Sequence, residues 1–181
     1  MKTTAPRERI SNPSAAHHGT RKHLRQQAIN SGVSNAILNS LLLYLFHMDM
    51  GVIAYESVFM DTFITCGFVA CLVTWPTAFF TRKAVRAGLP PMERTRLIDR
   101  LPKKWPLLGF TLWLPSALVV ELLTWLGFNV CGINEIALLP MLVVKFVSMG
   151  LLGGALGALV AARYLQPGAV VMQQGGSSRE R

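Results

Sequence analysis

Four apolar stretches, at about 28–48, 57–80, 105–126 and 136–162, limit what this chain can fold into. Each has about the twenty residues that a helix needs to cross the ~30 Å hydrocarbon core of a bilayer. Lipid offers no hydrogen bonds to bare peptide groups, so a spanning segment must satisfy its backbone internally, as a helix does. The expected fold class is therefore all-α, an integral membrane bundle of four transmembrane helices. The first stretch is the most polar. Its "AINSGVSNAILNS" holds three Asn and three Ser before "LLLYLF" restores the hydropathy. The fourth is the longest and absorbs its excess by tilting, with Pro140 near its start.

Charge placement sets the expected threading. The chain is 51% hydrophobic and only 15% charged, yet its formal net charge is +9. In a soluble protein such basicity points first to nucleic acid. Here the cations avoid the apolar runs, so no nucleic acid is expected. Six Lys and Arg lie in residues 1–27, eight in 81–104 and three in 163–181, and Lys145 completes the eighteen. Segments 49–56 and 127–135 have none, but hold Asp49, Glu56 and Glu135. Positive residues stay on the cytoplasmic side. Both termini and the 81–104 loop are expected inside, which makes two in-out-in hairpins.

The expected organisation is a polar basic tail over 1–27, a transmembrane domain over 28–162 and a second tail over 163–181. The first tail turns helical from "RKHLRQQ" onward. The apolar stretch after it begins too late for a secretory signal, and no small-residue cleavage site follows, so it is expected to stay. Tyr44, Tyr55 and Trp125 fall at outer ends, Trp105 and Tyr164 at inner ends, as interfacial aromatics do. Trp75 and Trp113 lie deeper and read as packing residues. Short loops and the lack of an organelle signal favour a bacterial inner (plasma) membrane.

Lys145 breaks the pattern. A lysine near the middle of a span costs roughly 2.5–3.5 kcal/mol on insertion scales. It lies nine residues from Ile136, about 14 Å along a helix axis, too deep for easy snorkelling. A carboxylate on a neighbouring helix is the expected compensation. Asp61, flanked by Thr62 and Thr65, is the first choice, and Glu121 the second. Such a pair reads either as a structural ion pair that sets helix register or as a titratable pair on a proton or substrate path.

Ser31, Asn35 and Asn39 share one face of the first span, beside a small-residue row of Gly32, Ala36 and Ser40. Amides in lipid must meet protein or water, so the asparagines either bond between helices or line a polar cavity with Lys145, Asp61 and Glu121. In the last span Gly150, Gly153, Gly154 and Gly157 build small-residue rows suited to close helix packing. The second span, with Gly67 and Cys71 or Ala70, Thr74 and Ala78, is the expected receiver within the bundle, and a homo-oligomer is the other use of such a face.

The loop "TRKAVRAGLPPMERTRLIDRLPKKW" is split by Pro90 and Pro91, and "MERTRLIDRL" suits a short amphipathic helix on the membrane surface. Arg94, Arg96, Arg100, Lys103 and Lys104 are its expected contacts with anionic lipid head groups. Cys66 and Cys71 read as small buried apolar residues, Cys131 as a lone loop cysteine. His17, His18 and His23 have no carboxylate or thiol beside them, so no metal and no cofactor are expected. Lys145 and Ser148 stand one turn apart, but no phosphate loop, G-x-S-x-G or H-E-x-x-H is present, so no enzyme is expected. The leading reading is a transporter-like or accessory membrane subunit with an intramembrane charged and polar cluster. The alternative is a regulatory or binding membrane protein that recruits anionic lipid or a partner through its basic loop.

Overall fold

The structure, a computed structural model, describes residues 13–167, with side chains from His18 onward, Tyr55 excepted. The tail before Pro13, the tail beyond Pro167 and the Tyr55 anchor lie outside the described residues. The elements in chain order are α1 (Pro13–His47), β1 (Val52–Ala54), α2 (Tyr55–Arg86), α3 (Arg96–Asp99), α4 (Trp105–Cys131), β2 (Glu135–Ala137) and α5 (Leu138–Leu165). Four of the helices contain stretches long and apolar enough to cross a membrane: His18–His47, Glu56–Arg86, Trp105–Cys131 and Leu138–Leu165.

Helix α1 starts well before its apolar part. Proline suits a first helical turn, and the straight-chain residues of "RKHLRQQ" have no reason to break the helix that follows. At two other boundaries, glycine ends the helix. Gly88 (φ 98°) follows α2 and Gly132 (φ 62°) follows α4. In both places the next residue's amide reaches back over the last turn, Leu89 to the Ala84 carbonyl and Ile133 to the Phe128 carbonyl. That closure needs a left-handed residue, which glycine supplies without a Cβ clash.

The glycine rows of α5 pack against α1, not against α2 as expected. A Cβ on Gly32 would lie 2.8 Å from the Gly150 carbonyl oxygen, one on Gly153 2.9 Å from the Ser31 carbonyl, and one on Gly157 2.5 Å from Ser31 Oγ. Gly154 faces the Ala28 carbonyl and Gly150 faces Ala36. The pairings rise along α1 as they fall along α5, so the two helices are antiparallel with their backbones almost in contact. The small residues of α2 are used elsewhere. Gly109 of α4 sits against Ala70 and Thr74, and Gly67 is covered by the Trp113 indole.

The bundle therefore has α5 as its spine, α1 on one side and the α2–α4 pair on the other. Its main core runs through Cys66, Val69, Val73, Leu108, Leu112, Met149, Leu156 and Val160. Large apolar side chains such as Phe110, Leu118, Leu123 and Leu151 point outward and are more than half exposed. A surface of that kind fits lipid rather than water.

The two acidic loops are not free. β1 and β2 pair antiparallel, with Ile53 opposite Ile136 and Val52 opposite Ala137. Ile53 roofs a second apolar cluster of Leu43, Val58, Phe128 and Met141. Three-residue strands are too short to show a sequence period, so this ribbon had no sequence signal. It ties both hairpins together at one end of the bundle, called here the ribbon end; the 87–104 segment marks the loop end.

Replacing Gly157 by Leu is expected to wedge α1 from α5 and destabilise the detergent-solubilised protein by roughly 1–3 kcal/mol, the usual range for overpacking. Gly127→Leu, where a Cβ meets nothing within 4 Å, is the matched control and should melt close to the wild-type temperature.

Candidate functional site

Lys145 is buried on the face of α5 that meets α2. Its ammonium donates to Asp61 Oδ2 in an ion pair and to Thr62 Oγ1 at 3.0 Å. The lysine is 2% exposed, whereas the Asp61 side chain keeps 19%. Thr65 Oγ1 donates to the Asp61 backbone carbonyl at 2.5 Å and lies 3.5 Å from its Oδ1. The flanking threonines thus complete the shell around the pair, as the sequence suggests. Burial between the helices removes water from both ions, and their mutual attraction with the threonine bonds offsets part of that loss.

Glu121 of α4 completes the group. It is 7% exposed, and neither carboxylate oxygen has a hydrogen-bond partner among the described residues. It lies within electrostatic reach of both Lys145 and Asp61, and buried Cys66 shares the same field. One cation and two carboxylates therefore converge from three helices. Asp61 stands about 9 Å from the start of α2, Lys145 about 10 Å from the start of α5 and Glu121 about 15 Å from the end of α4, counted along the helix axes. All three sit in the ribbon-end half of the bundle.

Asn35 and Asn39 are buried as expected but do not join this group by any hydrogen bond among the described residues. Asn35 Nδ2 donates to the Ser31 carbonyl at 2.7 Å and Asn39 Nδ2 to the Asn35 carbonyl at 2.8 Å. An amide can satisfy its donor on its own helix one turn back, so a polar stripe does not require a polar partner helix. Position still relates them to the cluster. The Ser31–Thr77 and His23–Thr81 contacts set the α1–α2 register, which places Asn39 near the height of Val69, about two turns from Asp61 toward the loop end. Asn35, Ser31, Asn30 and Ser34 then border, with Thr77, a groove of about 550 Å³ between α1 and α2. Ser40, between the two regions, has a buried Oγ without a partner among the described residues.

The basic loop is only partly the surface helix expected of it. Its helical part, α3, is a single turn. Arg94, Arg96, Arg100, Lys103 and Lys104 are all exposed, but Arg94 is engaged: its Nε donates to Asp99 Oδ2 at 2.8 Å, and the two side chains form an ion pair. That hydrogen bond is the main cause that holds the Asp99 carboxyl below its ordinary value of 3.8. The end of α5 pins the loop backbone. Arg163 Nε donates to the Leu101 carbonyl, Tyr164 Oη to the Lys103 carbonyl and Gln166 Nε2 to the Thr95 carbonyl, at 2.8, 2.9 and 3.2 Å. The Met92 amide donates to the Leu165 carbonyl at 2.8 Å. Arg163, 1% exposed, also lies 3.7 Å from Asp99 Oδ1.

Sequence reading missed this clamp. A lone arginine closing an apolar helix looks like a topogenic or snorkelling residue, and the only further signal was the polar Gln166 just beyond it. Two smaller expectations also fail. Cys71 is exposed, because five residues turn it away from the face that buries Cys66. Tyr164, expected at the interface, is buried under the loop. No protein-family model, curated protein or solved structure matches the chain.

Lys145→Met is expected to destabilise the protein by about 3 kcal/mol, because it leaves Asp61 without a counter-ion. Adding Asp61→Asn should recover most of that loss. Unfolding of the two single variants and the double in detergent measures the coupling; a double variant no more stable than Lys145→Met would remove the pair from the list of stabilising contacts.

Proposed function

We propose that the chain is a small transporter-like integral membrane subunit whose Lys145–Asp61–Glu121 cluster takes up and releases a proton. Glu121 carries this reading. An ion pair alone is enough to fix helix register, and Lys145 with Asp61 supplies one. A third ionisable group, buried and without a hydrogen-bond partner among the described residues, adds nothing to register and is expensive in lipid. Such a group is retained for exchange. The partly exposed Asp61 carboxylate is the point of contact with solvent on the ribbon side. Asn39, Ser40 and the polar α1–α2 groove continue the polar row toward the loop end, so exchange has a direction in which to proceed.

The charge distribution supports an orientation with both termini and the basic loop in the cytoplasm and the ribbon outside, in a bacterial plasma membrane. A homo-oligomer is part of the proposal. The alternative, recruitment of lipid or a partner by the loop, draws support from the exposure of Arg96, Arg100, Lys103 and Lys104. It leaves the buried carboxylate without a role.

Vesicles containing the purified chain and a pH-sensitive dye test the leading reading. An imposed proton gradient should dissipate at least tenfold faster than in empty vesicles, and Glu121→Gln should return the rate to the empty-vesicle value while melting no lower than wild type. Equal rates for wild type and Glu121→Gln would end the proposal, and a rate that follows sodium rather than protons would replace the ion.

Orientation has its own measurement. In a chain whose Cys66 and Cys71 are serine, a membrane-impermeant maleimide should label Cys131 in intact cells. Labelling that appears only after lysis would reverse the threading.

A further inference from the structure

The last turns of α2 carry cations that no carboxylate among the described residues neutralises. Arg82, Lys83 and Arg86 line, with Trp75, Phe79 and Trp105, a cavity of about 410 Å³ where α2 meets the start of α4. Among the described residues none of the three cations forms a salt bridge. Of the two loop acids, Glu93 is exposed and forms no salt bridge among the described residues, and Asp99 takes Arg94 and Arg163. Arg82 lies over the Tyr164 ring, 4.6 Å from its centroid. That contact orients the guanidinium and leaves its charge intact. Arg82 and Arg86 are one helical turn apart and so share a face.

The site changes chemistry along its length. Phe79 and Trp75 follow Arg82 at one and two turns toward the middle of the span, and they are 57% and 58% exposed. Trp105, 38% exposed, closes the other wall from the first turn of α4. Trp75 was expected to be a packing residue, and its exposure has no explanation in the core. A soluble anion would use the three cations and leave two indoles and a phenyl ring bare. A molecule with a negative head and an apolar tail uses all six residues.

We infer that this cavity is a binding site for an anionic phospholipid, with the phosphodiester against Arg82, Lys83 and Arg86 and an acyl chain along Phe79 and Trp75. The Trp105 indole, in the first turn of α4, suits the glycerol level between them, where one edge is apolar and the other wet. The site differs from the loop residues Arg94, Arg96, Arg100, Lys103 and Lys104, whose attraction to a membrane surface needs no cavity. It depends on the membrane-spanning helices and not on proton exchange at Glu121, so either proposal can fail alone.

The test uses the full chain in phosphatidylcholine vesicles doped with brominated phosphatidylglycerol or, at the same mole fraction, brominated phosphatidylcholine. Tryptophan quenching should be stronger with the anionic lipid. Lys83→Gln/Arg86→Gln, which changes two exposed side chains, should lower the anionic-over-zwitterionic preference about fivefold or more, given the usual attraction per cation at a membrane surface. Arg82→Lys, which keeps the charge, should retain the preference. Should the double variant lose helix content, each single variant carries the same test with a fall of about two- to fivefold. Equal quenching by the two lipids in the wild type would overturn the assignment. So would a preference lost on neutralising the five loop cations but kept in Lys83→Gln/Arg86→Gln. Millimolar inorganic phosphate should leave the preference unchanged; displacement by phosphate would make this a free-anion site and overturn the lipid reading.

Discussion

The near-contact of two backbones, α1 against α5, holds the rest of this structure in place. Lipid gives little drive for helices to associate by burying apolar side chains, since the tails are as apolar as leucine. Association then rests on how closely the helices approach and on what hydrogen bonds they share. Gly32, Gly150, Gly153, Gly154 and Gly157 provide that approach. With α1 held on one side, the opposite side of α5 presents Lys145 to α2, and its end presents Arg163 and Tyr164 to the loop. A spine fixed on one face can position charged groups on another, which a loosely held helix in lipid cannot.

The polar residues divide by where their partners lie. Asn35, Asn39, Thr74, Ser116 and Asn129 bond to carbonyls one turn back on their own helices. They are satisfied wherever their helix goes and so do little to choose its neighbours. Lys145, Trp113, Arg163 and Tyr164 bond across elements, and these contacts decide which helix sits beside which. Among the described residues Glu121 has no hydrogen-bond partner and belongs to neither set. A carboxylate that serves neither its helix nor the assembly stands out for that reason, and the functional reading is built on it.

How much could be read in advance depended on whether a feature acts locally. The four spans follow from hydropathy and length. The Lys145–Asp61 pair was legible because a buried lysine requires a carboxylate and few were available at that depth; Glu121 was named for the same reason. The receiver of the glycine rows was not legible, since the small residues of α1 and α2 offer comparable stripes and only packing chooses between them. The loop clamp was hidden because its acceptors are backbone carbonyls, which every residue carries. Trp75 was misread as packing because depth along a helix says nothing about which way a side chain faces.

The amino-acid order by itself determined that this is a helical chain with four stretches long and apolar enough to span a membrane, where those stretches lie, and that an ionisable group within them needs a partner. Those properties follow from the transfer of side chains and peptide groups out of water, which each segment undergoes on its own. Tertiary structure alone decided that α1 receives α5, that the acidic loops join as a ribbon, that Arg163 gathers the basic loop, and that Glu121 is left without a hydrogen bond among the described residues beside the Lys145–Asp61 pair. Those properties depend on contacts between distant residues with similar local chemistry, and only the packed bundle distinguishes one candidate contact from another.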